Sequence, residues 1–233
     1  MKKKMFTMSY DDNVLQDKRL VALMNKYGIK CTFNVNSGIF SDRTHIHRYD
    51  GVIYEHFHIE PEEVKDLYMG HEVATHSVTH PSLVGLSEED FTREVVGDMD
   101  ALSSLVGYKV NGHAYPGGCF DEETARRLGE KGIRYARTIQ CTGTFDFPEY
   151  PLIWNPTAYH MDPGNGYRTN KKLFDLADEF IKADSGLFYV WGHAYELDPY
   201  DNWEVLEAFF KKISGHEDIM YLTNSQVLDE LGM

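Results

Sequence analysis

Two adjacent acids, Asp11 and Asp12, stand in the segment MSYDDN (8–13), just after a short run that begins at Met5 and reads as a strand. Neighbouring like charges repel, so such a pair at a strand end calls for a counter-charge. The segment ATHSVTHPS offers one, with His76 and His80 four residues apart and Pro81 biasing the chain at His80 toward a turn. One helical turn or a tight loop there brings both imidazoles to one side. Two histidines and a carboxylate form a facial ligand set for a divalent metal, with positions left open for water and substrate. Unlike the HExxH zinc helix, this stretch has no Glu between its histidines. The base must therefore come from elsewhere, and whichever of Asp11 and Asp12 does not bind the metal is placed to take a proton from metal-activated water. His193 ends the apolar run in FYVWGHAYE, where a buried strand delivers one polar group. Opposite a carboxylate base, it suits a general acid for a leaving amine. Singly, an acidic pair reads as a solvated turn and each His as a satisfied core or surface group. Their joint placement at successive strand ends is what points to chemistry.

Those strand ends belong to a regular alternation. A strand over 5–9 precedes a helical pattern through Val14, Leu20, Val21, Leu23 and Met24 that stops at Gly28, and 30–36 reads as the next strand. Strand-like 71–77 leads into a long amphipathic helix from Ser87, with Phe91, Val95, Val96, Met99, Leu102 and Leu105 at helical spacing. Further strands are expected at 110–116, 133–138, 152–159, 186–193 and 219–224, with helices after Asp121, after Asn170 and from about Asn202. Strand, helix, strand implies parallel crossovers. Seven or eight strands so connected predict one catalytic domain over 1–233, an α/β chain closed into a distorted (β/α) barrel of parallel strands; a doubly wound open sheet is the alternative. In either, reactive groups gather at the carboxyl ends of the strands. The polar and aromatic stretch 38–60 breaks the rhythm and reads as a loop inserted over that end.

A net charge of −14 argues against binding to nucleic acid, which needs clustered Lys and Arg. Cys31, Cys119 and Cys141 are odd in number and widely spaced, so they indicate neither a disulfide framework nor a thiolate zinc site. Acids arrive too soon after the basic start for a secretory signal, and no stretch approaches a membrane span, so a cytoplasmic location is expected.

These segments resemble the polysaccharide deacetylases with a NodB homology domain. MSYDDN resembles the first motif of that family, THSVTH its H-[ST]-x-x-H motif, HAYPGG its R-x-P-x-G motif and FYVWGH its last, while KCTFNVN resembles its second strand. The resemblance spans about residues 5–193 and implies a distorted (β/α) barrel. By position it implies Asp11 as catalytic base, Asp12, His76 and His80 as metal ligands, zinc as the expected metal and His193 as general acid. It also places the Tyr115 backbone N–H as a donor to the oxyanion, next to Pro116. The implied reaction is hydrolysis of a non-peptide carbon–nitrogen bond, releasing acetate from an N-acetylated sugar or oligosaccharide. Where the family carries Arg, this chain has Ala114, and Arg137 in YART stands at the end of the following strand, where it can supply the missing charge. The Asp-Trp motif of the family has no counterpart at suitable spacing in FDFPEYPLIW.

Around the expected mouth, Tyr54, Phe57, Tyr159, Trp191, Tyr195 and Trp203 are candidates to stack on a sugar, with Trp191 and Trp203 best placed. HIH (45–47) and HFH (56–58) have strand spacing that could make a second metal site. Two other functions share this constellation: a hydrolase of cyclic amides such as ureides, which loss of the motif Arg permits, and a carbohydrate-binding scaffold with little catalysis.

Overall fold

The computed structural model describes residues 3–49, 51–162 and 171–233. Its first strand, β1 (Lys4–Asp11), is buried along its whole length, as a parallel strand covered on both faces must be. Helix α1 (Asp17–Tyr27) follows and ends at Gly28, whose φ of +66° is the left-handed conformation that closes a helix. The chain continues through β2 (Thr32–Val35) and then a hairpin of β3 (Ile46–Tyr49) and β4 (Val52–Glu55). A short α2 (Val64–Leu67) leads to β5 (Glu72–Thr75). Next comes α3 (Glu88–Val106), whose N-cap Ser87 accepts from the Asp90 N–H. Then follow β6 (Gly112–Ala114), α4 (Glu122–Glu130) capped by Asp121, and β7 (Tyr135–Arg137). The remainder is β8 (Ala158–Tyr159), α5 (Lys171–Lys182), β9 (Gly186–Gly192), α6 (Trp203–Ile213), β10 (Met220–Tyr221) and α7 (Asn224–Leu231).

The main sheet runs β7-β6-β5-β2-β1-β9-β8, with β10 beside the start of β1, and every pairing in it is parallel. This order is cyclic: it ascends from β1 to β7 in one direction and returns through β9 to β8 in the other. A doubly wound sheet reverses at an internal switch point instead. A parallel bridge between Arg137 and Trp154 brings the two edges toward one another, so the curled sheet and its helices form the distorted (β/α) barrel that the alternation predicts.

One core cluster joins Phe6, Phe33 and Phe188 of the sheet to Leu20 and Met24 of α1, Phe180 of α5, and Phe209 and Phe210 of α6. A second cluster through Phe91, Val95 and Leu128 seats α3 and α4. At the amino-terminal end of the barrel, Glu72 accepts from Thr32 Oγ1 and Tyr135 OH at 2.8 Å each and from the Ser225 N–H at 3.0 Å. These bonds satisfy a buried carboxylate and plug the barrel with α7.

Three segments depart from the sequence reading. Residues 152–159 form one 3-10 turn at Pro151–Ile153, the bridge at Trp154 and only two ladder residues, because Pro151 and Pro156 have no N–H to donate. Stretch 38–60 is more than a loop, since it contains the antiparallel β3–β4 hairpin. At 219–224 the strand is two residues long, and Thr223 with Gln226 forms a capping box that starts a helix.

Candidate metal and proton-transfer site

The site is built where β1 and β5 end. Directly after β1, Asp12 and Asn13 adopt φ of +78° and +40°, and after β5 Ser77 and His80 adopt +63° and +61°. Non-glycine residues in this region cost about 1–3 kcal/mol each and persist only when their surroundings hold them. Here α3 does the holding. Glu94 accepts from the Thr79 N–H at 2.9 Å and from Thr79 Oγ1 at 3.0 Å, and Asp98 accepts from the N–H groups of Ser37 and His76. Gly38 passes so close to this loop that a Cβ would lie 2.6 Å from Val78 Cγ1 and 2.7 Å from its carbonyl oxygen.

The result is a single cluster. Asp12 Oδ1 lies 3.5 Å from His76 Nε2 and 3.7 Å from His80 Nε2, and one ligand atom from each residue falls within 4.8 Å of the others. His76 Nδ1 is 2.8 Å from the Ala114 carbonyl, which only accepts, so the ring proton sits on Nδ1 and the Nε2 lone pair faces Asp12. Burial pushes His76 down to about 4, despite the nearby carboxylates, so it is neutral at pH 7. Asp12 is held well below the usual carboxylate range; burial opposes this, and His56, His193 and His76 outweigh it. Its Oδ1 is buried without a hydrogen-bond partner among the described residues. An ionised, unsatisfied carboxylate oxygen facing a neutral imidazole nitrogen suits a divalent cation of borderline softness.

Beside it, Asp11 accepts from Asn34 Nδ2 at 2.7 Å through Oδ1 and from Arg137 Nη2 through Oδ2. Arg137 is fully buried, with its guanidinium 4.4 Å from the Trp191 ring centroid. The positive charge absent at Ala114 is thus brought to Asp11 from β7, the neighbouring strand. Burial would raise the Asp11 carboxyl, yet Arg137, His76 and His193 together lower it. His193 Nε2 stands beside both acids, 3.8 Å from Asp11 Oδ2 and 3.9 Å from Asp12 Oδ2.

Four residues that the sequence reading did not assign to this proton site stand behind His193. Glu196 Oε2 lies 3.3 Å from His193 Nδ1 and 3.1 Å from His160 Nε2, and it also accepts from Tyr159 OH. Tyr10 OH lies 3.0 Å from His160 Nδ1. Burial alone would lower His193, but the Glu196 carboxylate prevails and raises it to about 9. Glu196 in turn sits well below its ordinary value, because His193 and His160 overcome the effect of burial. The legible signal was the HAYE spacing, since one 3-10 turn over Ala194–Glu196 returns the carboxylate to the histidine. Gly192 is required here, as a Cβ would lie 2.3 Å from the His160 ring.

Several expected contacts differ. The Tyr115 N–H donates to the Arg137 carbonyl at 3.0 Å, so it is spent in the β6–β7 ladder, although Tyr115 still lines the cavity. Gly117, with φ of +60°, lines the cavity two residues on. Pro116 and Arg137 are buried and stand behind the residues that line the cavity, whereas Trp191 and Tyr195 line it. Trp203 is buried, bonding Asp198 through Nε1 and stacking under Arg19, so it serves packing. Tyr54 packs against Tyr195 and Tyr200. His45, His56 and His58 line the same cavity of about 480 Å³ as Asp12. They make no second metal cluster among the described residues, and the side chain of His47 lies outside those residues.

Solved structures share the architecture. A Mycobacterium smegmatis chain assigned to the polysaccharide deacetylases superposes with a TM-score of 0.66 at 17% identity, covering 99% of this chain and 91% of that one. A family 4 acetyl xylan esterase from Clostridium thermocellum, solved with a cobalt ion, gives 0.57 at 14% identity over 99% and 93%. A CE4 family pseudoenzyme from Bacillus anthracis gives 0.60 at 17% identity over 98% and 66%. The match to the Streptococcus pyogenes deacetylase PplD spans 57% of this chain and 55% of that one. No curated protein sequence matches. The sequence model for polysaccharide deacetylase matches residues 1–136, more than half of the chain, which therefore belongs to the polysaccharide deacetylase family.

Proposed function

We propose that this chain is a metal-dependent hydrolase that releases acetate from an N-acetylated sugar or short oligosaccharide. Asp12, His76 and His80 would hold the cation, with zinc the first expectation from one carboxylate and two imidazoles. Bound there, a divalent cation supplies a Lewis acid for the acyl oxygen and makes water more acidic.

The protein's own groups account for the proton traffic. Asp11 is ionised at neutral pH and fixed by Asn34 and Arg137, so its Oδ2 can accept a proton from water at the cluster. His193 holds a proton at Nε2, 3.8 Å from Asp11 Oδ2, and Glu196 keeps it there through neutrality. That proton goes to the departing amine. A cavity of about 480 Å³, with Trp191 and Tyr195 in its wall, has room for a sugar ring bearing an acetamido group.

The observation that carries this reading is the opposition of Asp11 and His193 at 3.8 Å beside an Asp–His–His cluster. Arg137 on Asp11 also weakens both rival readings, because each drew on the missing charge at Ala114. The test is to incubate the zinc-loaded protein separately with N-acetylated chito-oligosaccharides and with cyclic amides, measuring acetate and ring-opened acid. Acetate with a free amine is the expected product. Ring opening alone would transfer the site to cyclic amides, and sugar binding without either product would make the chain a scaffold.

A further inference from the structure

The insertion between β2 and β5 approaches the metal cluster from the side that His76 and His80 leave open. His56, one residue past β4, places Nε2 3.3 Å from Asp12 Oδ2, while His76 and His80 face Oδ1 of the same carboxylate. The approach is anchored through the backbone. Val14 and His58 form an antiparallel bridge, Leu15 N–H donates to the Phe57 carbonyl at 2.8 Å, and Ile59 N–H donates to the Asn13 carbonyl at 3.0 Å. The insertion is therefore stitched to the loop that carries Asp12. The His56 ring also packs on Tyr195, with centroids 4.4 Å apart.

We infer that His56 is a positioning residue of the metal centre: its Nε2 stands within ion-pair reach of Asp12 Oδ2 and, by donating to that oxygen when the cation is bound, turns Oδ1 toward the cation. This rests on the metal-dependent reading above. A carboxylate that binds a metal through one oxygen needs a donor on the other when both are buried, and Asp12 is only 4% exposed. His56 faces Oδ2 whereas His76 and His80 face Oδ1, which assigns it to the carboxylate and not to the cation. A stretch that reads in sequence as an adaptable polar loop thus becomes part of the cation site.

Two variants isolate the donor from the ring. His56→Phe keeps the packing on Tyr195 and removes the N–H, whereas His56→Gln gives up the ring and retains an N–H donor. Zinc affinity is measured by competition with a chromophoric chelator, with the cobalt absorption spectrum as a second readout and His80→Ala as a ligand-loss control. The expected result is a 10–100-fold weaker zinc affinity in His56→Phe, with most of it recovered in His56→Gln, and an unchanged KM at saturating metal. Affinity in His56→Phe within twofold of wild type would overturn the inference, as would equal losses in the two variants. A KM increase without an affinity loss would assign His56 to substrate instead. Should wild type bind no zinc, the deacetylase reading itself falls, and this inference with it.

Discussion

Asp11 and His193 divide the proton chemistry between them, and their surroundings push them in opposite directions. Asp11 is lowered by Arg137 against burial, and His193 is raised to about 9 by Glu196 against burial. Asp11→Asn, which keeps the shape and removes the base, should reduce acetate release by about 10²–10⁴-fold while zinc affinity stays near wild type; parallel kinetics and chelator competition check this. His193 donates only when protonated, so its raised value keeps the acid competent through neutrality, and activity should fall as pH rises through about 9. Glu196→Gln removes the charge that stabilises the imidazolium, so the alkaline limb of the kcat/KM profile should move down by about 1–2 pH units. An unmoved limb would detach Glu196 from this role. The acids and histidines of the cluster were legible because each is adjacent in sequence to its partner or sits at a strand end. Arg137 was legible as a charge at the end of a strand, next to the one in which the motif Arg is replaced by Ala114. Asn34 and His160 were not, because their partners arrive from other strands and turns and leave no local pattern.

At the scale of elements, α3 acts on the site without reaching the cavity. Glu94 fixes Thr79, and through it the left-handed turn that presents His80. Glu94→Ala removes both hydrogen bonds by which the carboxylate holds Thr79, at a cost of about 1–3 kcal/mol in stability, and frees His80. Urea unfolding and zinc competition should show both losses together, and a stability loss with unchanged affinity would show that the loop is held by other contacts. The helices with strong capping signals, at Ser87 and Asp121 and with the stop at Gly28, stand where the sequence places them. The α7 signal was equally local, a Thr–Gln capping box, but it follows the two ladder residues of β10 so closely that strand and helix patterns merge. Around Trp154, two prolines override an apolar run that otherwise reads as a full strand.

The whole molecule is a curled parallel sheet with polar chemistry at one end and a plugged floor at the other. The cyclic strand order follows from alternating strands and helices, whereas the closure through Trp154 and α7 depends on contacts between residues far apart in the chain. Among the described residues, no helix is long and apolar enough to cross a membrane. A net charge of −14 favours uptake of a cation over an anion. If the cation binds only the folded chain, zinc at 100 times its Kd adds about 2.7 kcal/mol of stability. For a chain of this size that corresponds to a Tm increase of about 5–10 °C, which a chelator should reverse. The central claim is that Asp12, His76 and His80 hold one cation beside Asp11. An anomalous-difference map of zinc-soaked crystals, recorded on both sides of the zinc absorption edge, tests it directly. The account predicts one strong peak about 2.0–2.2 Å from Asp12 Oδ1 and the two Nε2 atoms. A map with no peak there, in crystals that bind zinc elsewhere, would contradict it.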